Sequence, residues 1–492
     1  MYEQDRERIR ARRSRQRGGP PPPRNRRPPR RGVPSGRLVS VRRVLAVCCL
    51  GLVVAAGWFA WQSVGFLRAL NVQNPFAELG NQLHPAQGSV GWKIQNGQRV
   101  NLLLLGYGGS ENDAPYLTDT DMVLSIDPTD HRAVMASVPR DLEVRVCPYA
   151  DGHCDVTKLN VAYSTGMYDA EYPGKKPQFT GDKDRGGNLA MQTMSQVTGL
   201  SFDGYVAVDF KAFRDIVDAL GGVQVCLTGP LDDNQYPDGH DGYIPGGVHF
   251  KAGCQEVNGT QALELARSRH AVQPVEASDF GRIKRQQLLV NAIRKKAMSV
   301  DGITKAPGLM QALAQDFSTN LNLTDMRVLY EWSKSVPDSS IGRVSVDLTN
   351  FLYDDSDANG YVEHPTDPSY QMLHTFFANL LVDPAVVKQQ APVQIANASY
   401  GLASMQTQVA DALGPLGLKM ANPIRVSTEQ QSVVYDYSNG KYGKTAQWLA
   451  SYFGAKVENV GQGATPPTPS PPAGGIVVVL GRDFSLRWVG EA

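Results

Sequence analysis

The sequence predicts an α/β protein: a central sheet flanked by helices, a small α/β unit at the C-terminal end, and one N-terminal transmembrane helix. Three observations carry this. Apolar strand-like runs alternate with amphipathic helical stretches through residues 98–300, a succession that lays helices on the faces of a sheet. The same alternation returns on a smaller scale after Pro392. Val44–Trp61 is eighteen residues long and carries no charge.

The 492 residues exceed what one hydrophobic core usually organises, so two or three domains are expected. Hydrophobic residues make up 42% and charged residues 20%, an ordinary globular balance. The net charge of +1 hides an asymmetry: residues 1–43 hold fifteen arginines against Glu3, Asp5 and Glu7, with prolines at Pro20–Pro23 and Pro28–Pro29. Such a segment cannot bury a core and is expected to be a disordered cytoplasmic tail. With "QSVGFL" added, the apolar run covers residues 44–67, enough to cross a bilayer as a helix. Arg42 and Arg43 at its start put the N-terminus in the cytoplasm by the positive-inside rule, with Trp58 and Trp61 near the outer interface. A cleaved signal peptide is the competing reading; no small-x-small cleavage site follows, and the apolar run is long for one. Topology and attraction to anionic membrane lipid account for the basic tail, and no nucleic-acid partner is expected.

The chain beyond residue 68 is then extracytoplasmic. Cys48 and Cys49 lie in the span; Cys147, Cys154, Cys226 and Cys254 lie outside it. An even count in an exported region suggests two disulfides, most economically Cys147–Cys154 and Cys226–Cys254. Zinc at "CPYADGHC", with His153, is the alternative, although partner ligands are missing.

Residues 68–97 read as a spacer. "VNLLLLG" (Val100–Gly106), "DMVLSID" (Asp121–Asp127) and "RAVMASVP" (Arg132–Pro139) read as strands, the first apolar throughout, as a central strand is. "NLAMQTMSQVTG" and "DFKAFRDIVDALGG" read as helices, the second closed by Gly221 and Gly222, with strands "GYVAVDF" and "GVQVCL" on either side of it. "VNGTQALELARSR" starts a helix with Asn258 as N-cap. A further helix from about Phe280 to Met298 turns Ile283, Leu289, Val290 and Ile293 to the core and puts Arg282 and Gln286 on one side. Residues 301–390 read as a helical extension with "APGLMQALAQDF", "TDMRVLYEWSKSV" and "YQMLHTFFANLL", interrupted by the strand "IGRVSVDL". Residues 391–485 repeat strand, helix, strand, helix, a Pro/Thr/Ser linker and strand "GIVVVLG".

One stretch concentrates charge. "ARSRHAVQPVEASDFGRIKRQQ", Ala266–Gln287, packs Arg267, Arg269, His270, Arg282, Lys284 and Arg285 around Asp279. A solvated helix face is the plain reading of such a run; an anion that must be held firmly is the other. The order "NLLLLG", "LTDTDMVLSIDP", "SVPRDLEV", "KLNVAYSTG", "FRDIVDALGGVQV", "NGTQALELARSR", "DFGRIKRQQ" resembles the LytR–CpsA–Psr family over about residues 98–298. The terminal unit is similar to the LytR C-terminal domain. The resemblance implies a membrane-anchored phosphotransferase that moves a glycopolymer from a polyprenyl-pyrophosphate carrier to peptidoglycan, forming a phosphodiester bond.

By the same resemblance Arg140, Lys158, Arg267, Arg269, Arg282 and Gln286 match the family's pyrophosphate ligands, with Asn160 as a local organiser. Asp119 matches its acidic metal position, for Mg2+ or Mn2+. The chemistry fits: arginine is always charged and donates two parallel hydrogen bonds to a phosphate, and phosphoryl transfer is catalysed chiefly by positioning and charge stabilisation. Each residue also has a plainer role. Asp119 could cap a strand, with Asp121 two residues on along the same face; Arg282 could pair with Asp279; Arg267 and Arg269 diverge unless the helix ends between them. Lys284 and Arg285 are expected to face solvent. The chain also departs from the family pattern, carrying Gly108 where many members have an acid and Leu117 where they have an arginine. Asp113 in "SENDAPYL" is the candidate replacement carboxylate. The lipid requires an apolar tunnel, yet the apolar residues of "FKAFRDIVDAL" and "LLVNAI" read as core. A polyprenyl-pyrophosphate hydrolase using the same cluster, and a non-catalytic envelope regulator or wall-polymer binding protein, stay open beside the transferase.

Overall fold

The computed structural model describes residues 85–484, apart from 111, 182–183, 239–241, 278, 300–316, 347–350, 358–359, 400–404 and 466–473. The arginine-rich tail, the expected span at 44–67 and nearly all of "APGLMQALAQDF" lie outside these residues. Among the described residues no helix is long and apolar enough to cross a membrane.

The end of the expected spacer forms a short helix, α1 (Val90–Gln95), capped by Ser89 and burying Val90 and Ile94. β1 (Val100–Tyr107), β2 (Thr118–Asp127) and β3 (Arg132–Val138) then form an antiparallel meander. β1 is buried along nearly its whole length, which is why its leucines show no alternation: both faces of a central strand are covered. A ribbon of β4 (Glu143–Val146) and β5 (Asp155–Lys158) follows, closed at its tip by the Cys147–Cys154 disulfide. The bond consumes both thiols, so the zinc alternative is excluded. Then come α2 (Val161–Met167), α3 (Arg185–Thr198) and β6 (Gly204–Asp209), which returns parallel to β1.

The helix α4 (Phe210–Ala219) starts at the end of β6, where the Asp209 carboxylate accepts the Ala212 N–H at 2.7 Å. The next strand, β7 (Val223–Leu227), was expected only as a strand following α4, in an α/β sheet of unstated strand order. It pairs antiparallel with β10 (Gly253–Val257), outside the central sheet, after the short pair β8 (Leu231–Asp233) and β9 (Val248–Phe250). Its residues alternate buried and exposed, the pattern of a ribbon with one wet face. Cys226 and Cys254 stand directly opposite in that ribbon and are joined. α5 (Gly259–Arg267), α6 (Pro274–Ala277) and α7 (Asp279–Met298) complete the helical cover. β11 (Phe317–Thr319) lies at one edge of the sheet, α8 (Leu323–Lys334) follows, and β12 (Ile341–Ser345) lies at the other edge. The order is β11-β6-β1-β2-β3-β12, a mixed sheet. A hairpin absent from the sequence reading, β13 (Leu352–Asp357) with β14 (Gly360–Pro365), leans on β4 through the Leu142–Glu363 bridge. α9 (Gln371–Ala378) and α10 (Pro384–Gln389) end the extension.

From Pro392 a second sheet is built on parallel Pro392–Asn397 and Ile476–Leu480, with Val433–Asp436 antiparallel to the latter. One buried cluster runs from Leu103, Tyr163 and Leu189 through Phe376 and Phe377 to Ile395, Trp448 and Ile476. Polar ties accompany it: Arg132 Nη2 donates to Val382 O at 2.9 Å, and Trp448 Nε1 to Asn379 O at 3.2 Å.

Candidate active site

The charged residues singled out in the sequence converge where β2, the β3–β4 turn, β5, α5 and α7 meet. Asp119, near the start of β2, forms an ion pair with Arg140, which follows β3. Arg140 Nε donates to Asp141 Oδ2 at 3.2 Å. The β4–β5 pairing of Glu143 with Lys158 folds Lys158 back beside the same acid, Nζ to Oδ1 at 3.1 Å. Burial works against ionisation of Asp141, but Arg140, Lys158 and Arg269 outweigh it and hold the carboxyl below its ordinary range. Asp141 therefore spaces two cations, Arg140 and Lys158, on either side of one carboxylate. Asp121 has another role. Burial pushes its carboxyl up to about 7, against the Thr118 hydroxyl, which donates to both of its oxygens at 2.9 Å.

α5 starts as expected: the Asn258 side chain accepts from Gln261 N, and Gln261 closes the reciprocal capping bond. It ends at Arg267, and Ser268 leaves the helical backbone region (φ −53°, ψ 132°). The divergence of two arginines on a continuous helix thus does not arise. The Arg267 guanidinium lies 4.5 Å from the centroid of Phe210, the first residue of α4. The turn after Arg267 is built on Asp233 of β8, a residue sequence reasoning missed. Its Oδ2 accepts from Ser268 Oγ at 2.7 Å and from the Arg269 and His270 amides at 3.1 Å. Asp233 is fully buried; despite that burial, these donors keep its pKa low. Nothing in the sequence links it to a turn so far along the chain.

A carboxylate with a depressed pKa stabilises the fold above its unfolded value of about 4 and loses that contribution as pH falls through the folded value. Asp233→Asn is expected to cost about 2–4 kcal/mol at neutral pH, since hydrogen bonds to a buried charge are lost. In urea titrations the variant and the parent should converge below pH 4. A constant difference down to pH 2 would show that the Asp233 charge does not hold the turn.

On α7, Arg282 and Gln286 are buried, at 4% and 7% exposure. Gln286 Nε2 donates to Asp119 O and to Ala266 O, both at 3.3 Å, tying α7 to the acid of β2 and the end of α5. Lys284 is exposed, as expected. Arg285 is not: at 3% exposure it donates to Leu265 O at 2.9 Å and Ser268 O at 2.5 Å and pairs with Glu276 at 2.6 Å. Helix geometry explains this correction, because positions 282, 285, 286 and 289 share one stripe, and Leu289 is buried.

Asp113 sits exposed in the β1–β2 loop. At Gly108 the space of a side chain is taken by Asn112, whose Cβ lies 2.8 Å from where a Cβ would stand. Gly109 needs its glycine: φ is +74°, and a Cβ would meet Asp209 Oδ2 at 2.7 Å. Among the described residues no group of three or more His, Cys, Asp or Glu could hold a metal ion.

Behind the cluster lies a cavity of about 320 Å3 between the sheet and α4, α5 and α7. Leu104, Val206, Phe213, Leu289 and Ile293 line it, and Asp119, Arg267 and Gln286 share its wall. The sequence reading had assigned Phe213, Ile216, Leu289, Val290 and Ile293 to the core. All five border this cavity; apolar spacing alone does not distinguish packing on a neighbour from facing a void.

Comparison with known proteins follows the same outline. The chain is 29% identical over 230 residues to the polyisoprenyl-teichoic acid–peptidoglycan teichoic acid transferase TagU of Oceanobacillus iheyensis, covering 47% of this chain and 61% of that protein. It is 24% identical over 307 residues to the Bacillus subtilis transferase of the same description, TagV, covering 62% and 70%. The chain thus spans less than two thirds of the first of these relatives. The crystal structure of B. subtilis TagV superposes with a TM-score of 0.43 at 23% identity, covering 58% of this chain and 98% of that one. The LytR_cpsA_psr family model matches residues 69–375, well over half of the sequence, as the motifs had suggested. The chain belongs to the LytR_cpsA_psr family.

Proposed function

We propose that this protein is a transferase that moves a glycopolymer from a polyprenyl-pyrophosphate carrier to peptidoglycan, leaving a phosphodiester bond. One observation carries the reading: an apolar cavity is bordered by Arg267 and by Asp119, whose ion-pair partner is Arg140. A greasy chain attached to a doubly charged pyrophosphate requires that combination, and neither half explains the other. The names of the TagU and TagV relatives support it.

Arg140, Lys158, Arg267, Arg269 and Arg282 neutralise the pyrophosphate, the arginines by paired N–H donation. Gln286 and Asp233 are positioning residues, which fix α7 and the turn after α5. The acceptor hydroxyl oxygen bonds to the phosphorus that bears the glycan, and the bridging bond to the lipid phosphate breaks. The site needs no enzyme nucleophile for this displacement. Asp119 suits a divalent cation shared with substrate oxygens and waters, since Mg2+ or Mn2+ in phosphate sites takes few protein carboxylates; such an ion would offset charge on the phosphates. Asp113 is too exposed to offer more than a solvent-side ligand. The extracytoplasmic placement and the N-terminal anchor belong to this proposal, and the two disulfides support an exported environment.

Chain length tests it. Ile293→Trp should fill the cavity and weaken binding of a long polyprenyl-pyrophosphate at least tenfold, while inorganic pyrophosphate affinity stays within about twofold; tenfold corresponds to about 1.4 kcal/mol. Equal loss for both ligands would show that the cavity does not receive the lipid.

A further inference from the structure

A second cavity, of about 350 Å3, is lined by Arg140, the ion-pair partner of Asp119. Asp119 lines the apolar cavity and Arg140 lines this one, so the ion pair stands in the partition between them. Its wall is mixed: Leu117, Val161 and Val362 provide apolar surface, Glu143, Thr157 and Asn160 provide polar groups, and Arg140, Asp141 and Lys158 are shared with the charged site described above. Asn160 is 7% exposed, and among the described residues its Oδ1 is buried with no hydrogen-bond partner. The residue lines the cavity, and an unsatisfied buried oxygen there is a polar group that calls for a partner. At the hairpin side Glu143 Oε1 lies 3.4 Å from His364 Nδ1. The Tyr353 ring stacks on His364 at a centroid distance of 5.3 Å and is 51% exposed.

We propose that this cavity is the acceptor subsite, and that it takes a sugar of the peptidoglycan glycan strand; the proposal rests on the transferase reading above. Sugars present hydroxyls at their edges and C–H groups on their faces, so they suit a pocket with a few fixed polar groups among apolar ones. An exposed aromatic ring beside such a pocket offers an apolar platform with a polar tip. Placement argues for the acceptor over the glycan already on the donor. In phosphoryl transfer the attacking and leaving oxygens lie roughly in line across phosphorus. With lipid phosphate leaving toward the apolar cavity that Asp119 borders, the attacking hydroxyl comes from the far side, and that side is assigned to the cavity that Arg140 borders. The acceptor oxygen bonds to phosphorus, the lipid phosphate departs with the bridging oxygen, and the hydroxyl proton passes to Glu143. Of the pocket's two carboxylates, Asp141 is already held by Arg140 and Lys158. Leu117, where relatives of the resemblance carry arginine, becomes part of the apolar floor.

The test uses the full chain in detergent, with the tetramer of N-acetylglucosamine as acceptor probe and polyprenyl-pyrophosphoryl-N-acetylglucosamine as donor probe. Tyr353→Ala and Asn160→Ala should each weaken tetramer binding at least fivefold by calorimetry. Tyr353 is exposed, so thermal unfolding of its variant should match the parent and exclude misfolding. Donor affinity should stay within twofold for Tyr353→Ala. If that variant loses donor affinity instead, the pocket holds the donor's own sugar; if the tetramer binds parent and variants alike, it binds elsewhere. Either result overturns the proposal. If the tetramer binds in the pocket but the protein never transfers glycan to it, the sugar subsite stands and the transferase reading fails.

Discussion

Arg140→Ala is expected to lower turnover by about a hundred- to ten-thousandfold while leaving the fold in place. Arg140 contacts both Asp119 and Asp141, so in the resting site its guanidinium is already oriented by two acids. Charge-assisted hydrogen bonds contribute roughly 1.5–3 kcal/mol each, and a fork that donates two to the transferring phosphate therefore carries about two to four powers of ten in rate. On the proposed function the loss should fall on turnover more than on donor affinity, because Lys158, Arg269 and Arg282 would still neutralise the ground-state pyrophosphate. Arg140→Lys restores charge without the fork and should recover only part of the rate. The side chain is 19% exposed, and Lys158 and Arg269 remain beside the buried Asp141, so the thermal unfolding midpoint should fall only modestly and less than for Arg285→Ala. Transfer measured as lipid phosphate released per acceptor modified checks this. A loss under fivefold would remove Arg140 from the chemistry.

The sequence made the sheet and the site legible to different degrees. β1, β2 and β3 were readable because apolar runs of seven or so residues between turn residues admit few alternatives, and α5 because Asn258 and Gln261 write its N-cap in local chemistry. Arg267 and Arg282 were readable as a joint motif, since each alone has a surface role. What stayed hidden depends on distance along the chain. Asp233 and the turn it holds are separated by the β9–β10 region, and the contact exists only because that region folds back. The β13–β14 hairpin carries exposed tyrosines and acids that give no inward stripe to read. The cavity behind the arginines was hidden for another reason: a leucine facing a void and a leucine facing a leucine obey the same periodicity.

Arg285→Ala is expected to be the most destabilising single change among the cations of this stretch, about 3–5 kcal/mol, the usual cost of removing one partner of a buried ion pair. Its guanidinium donates to the carbonyls of Leu265, Ser268 and Glu276 and to the Glu276 carboxylate, at 2.5–2.9 Å. Removing it strands those acceptors where water cannot replace the donors. Two of the carbonyls flank Arg267, so the same substitution should also loosen the turn that aims Arg267 and Arg269. Turnover should then fall together with stability, unlike the Arg140 variant. Arg285→Lys keeps one charge but cannot reach four acceptors from a single ammonium, and should recover less than half of the lost stability. Lys284→Ala, one residue earlier and exposed, should stay within about 0.5 kcal/mol of the parent, as surface substitutions usually do. Urea unfolding of the three variants decides the matter. If Arg285→Ala and Lys284→Ala unfold at the same midpoint as the parent, Arg285 does not brace the turn, and its place on the buried stripe of α7 has no energetic consequence.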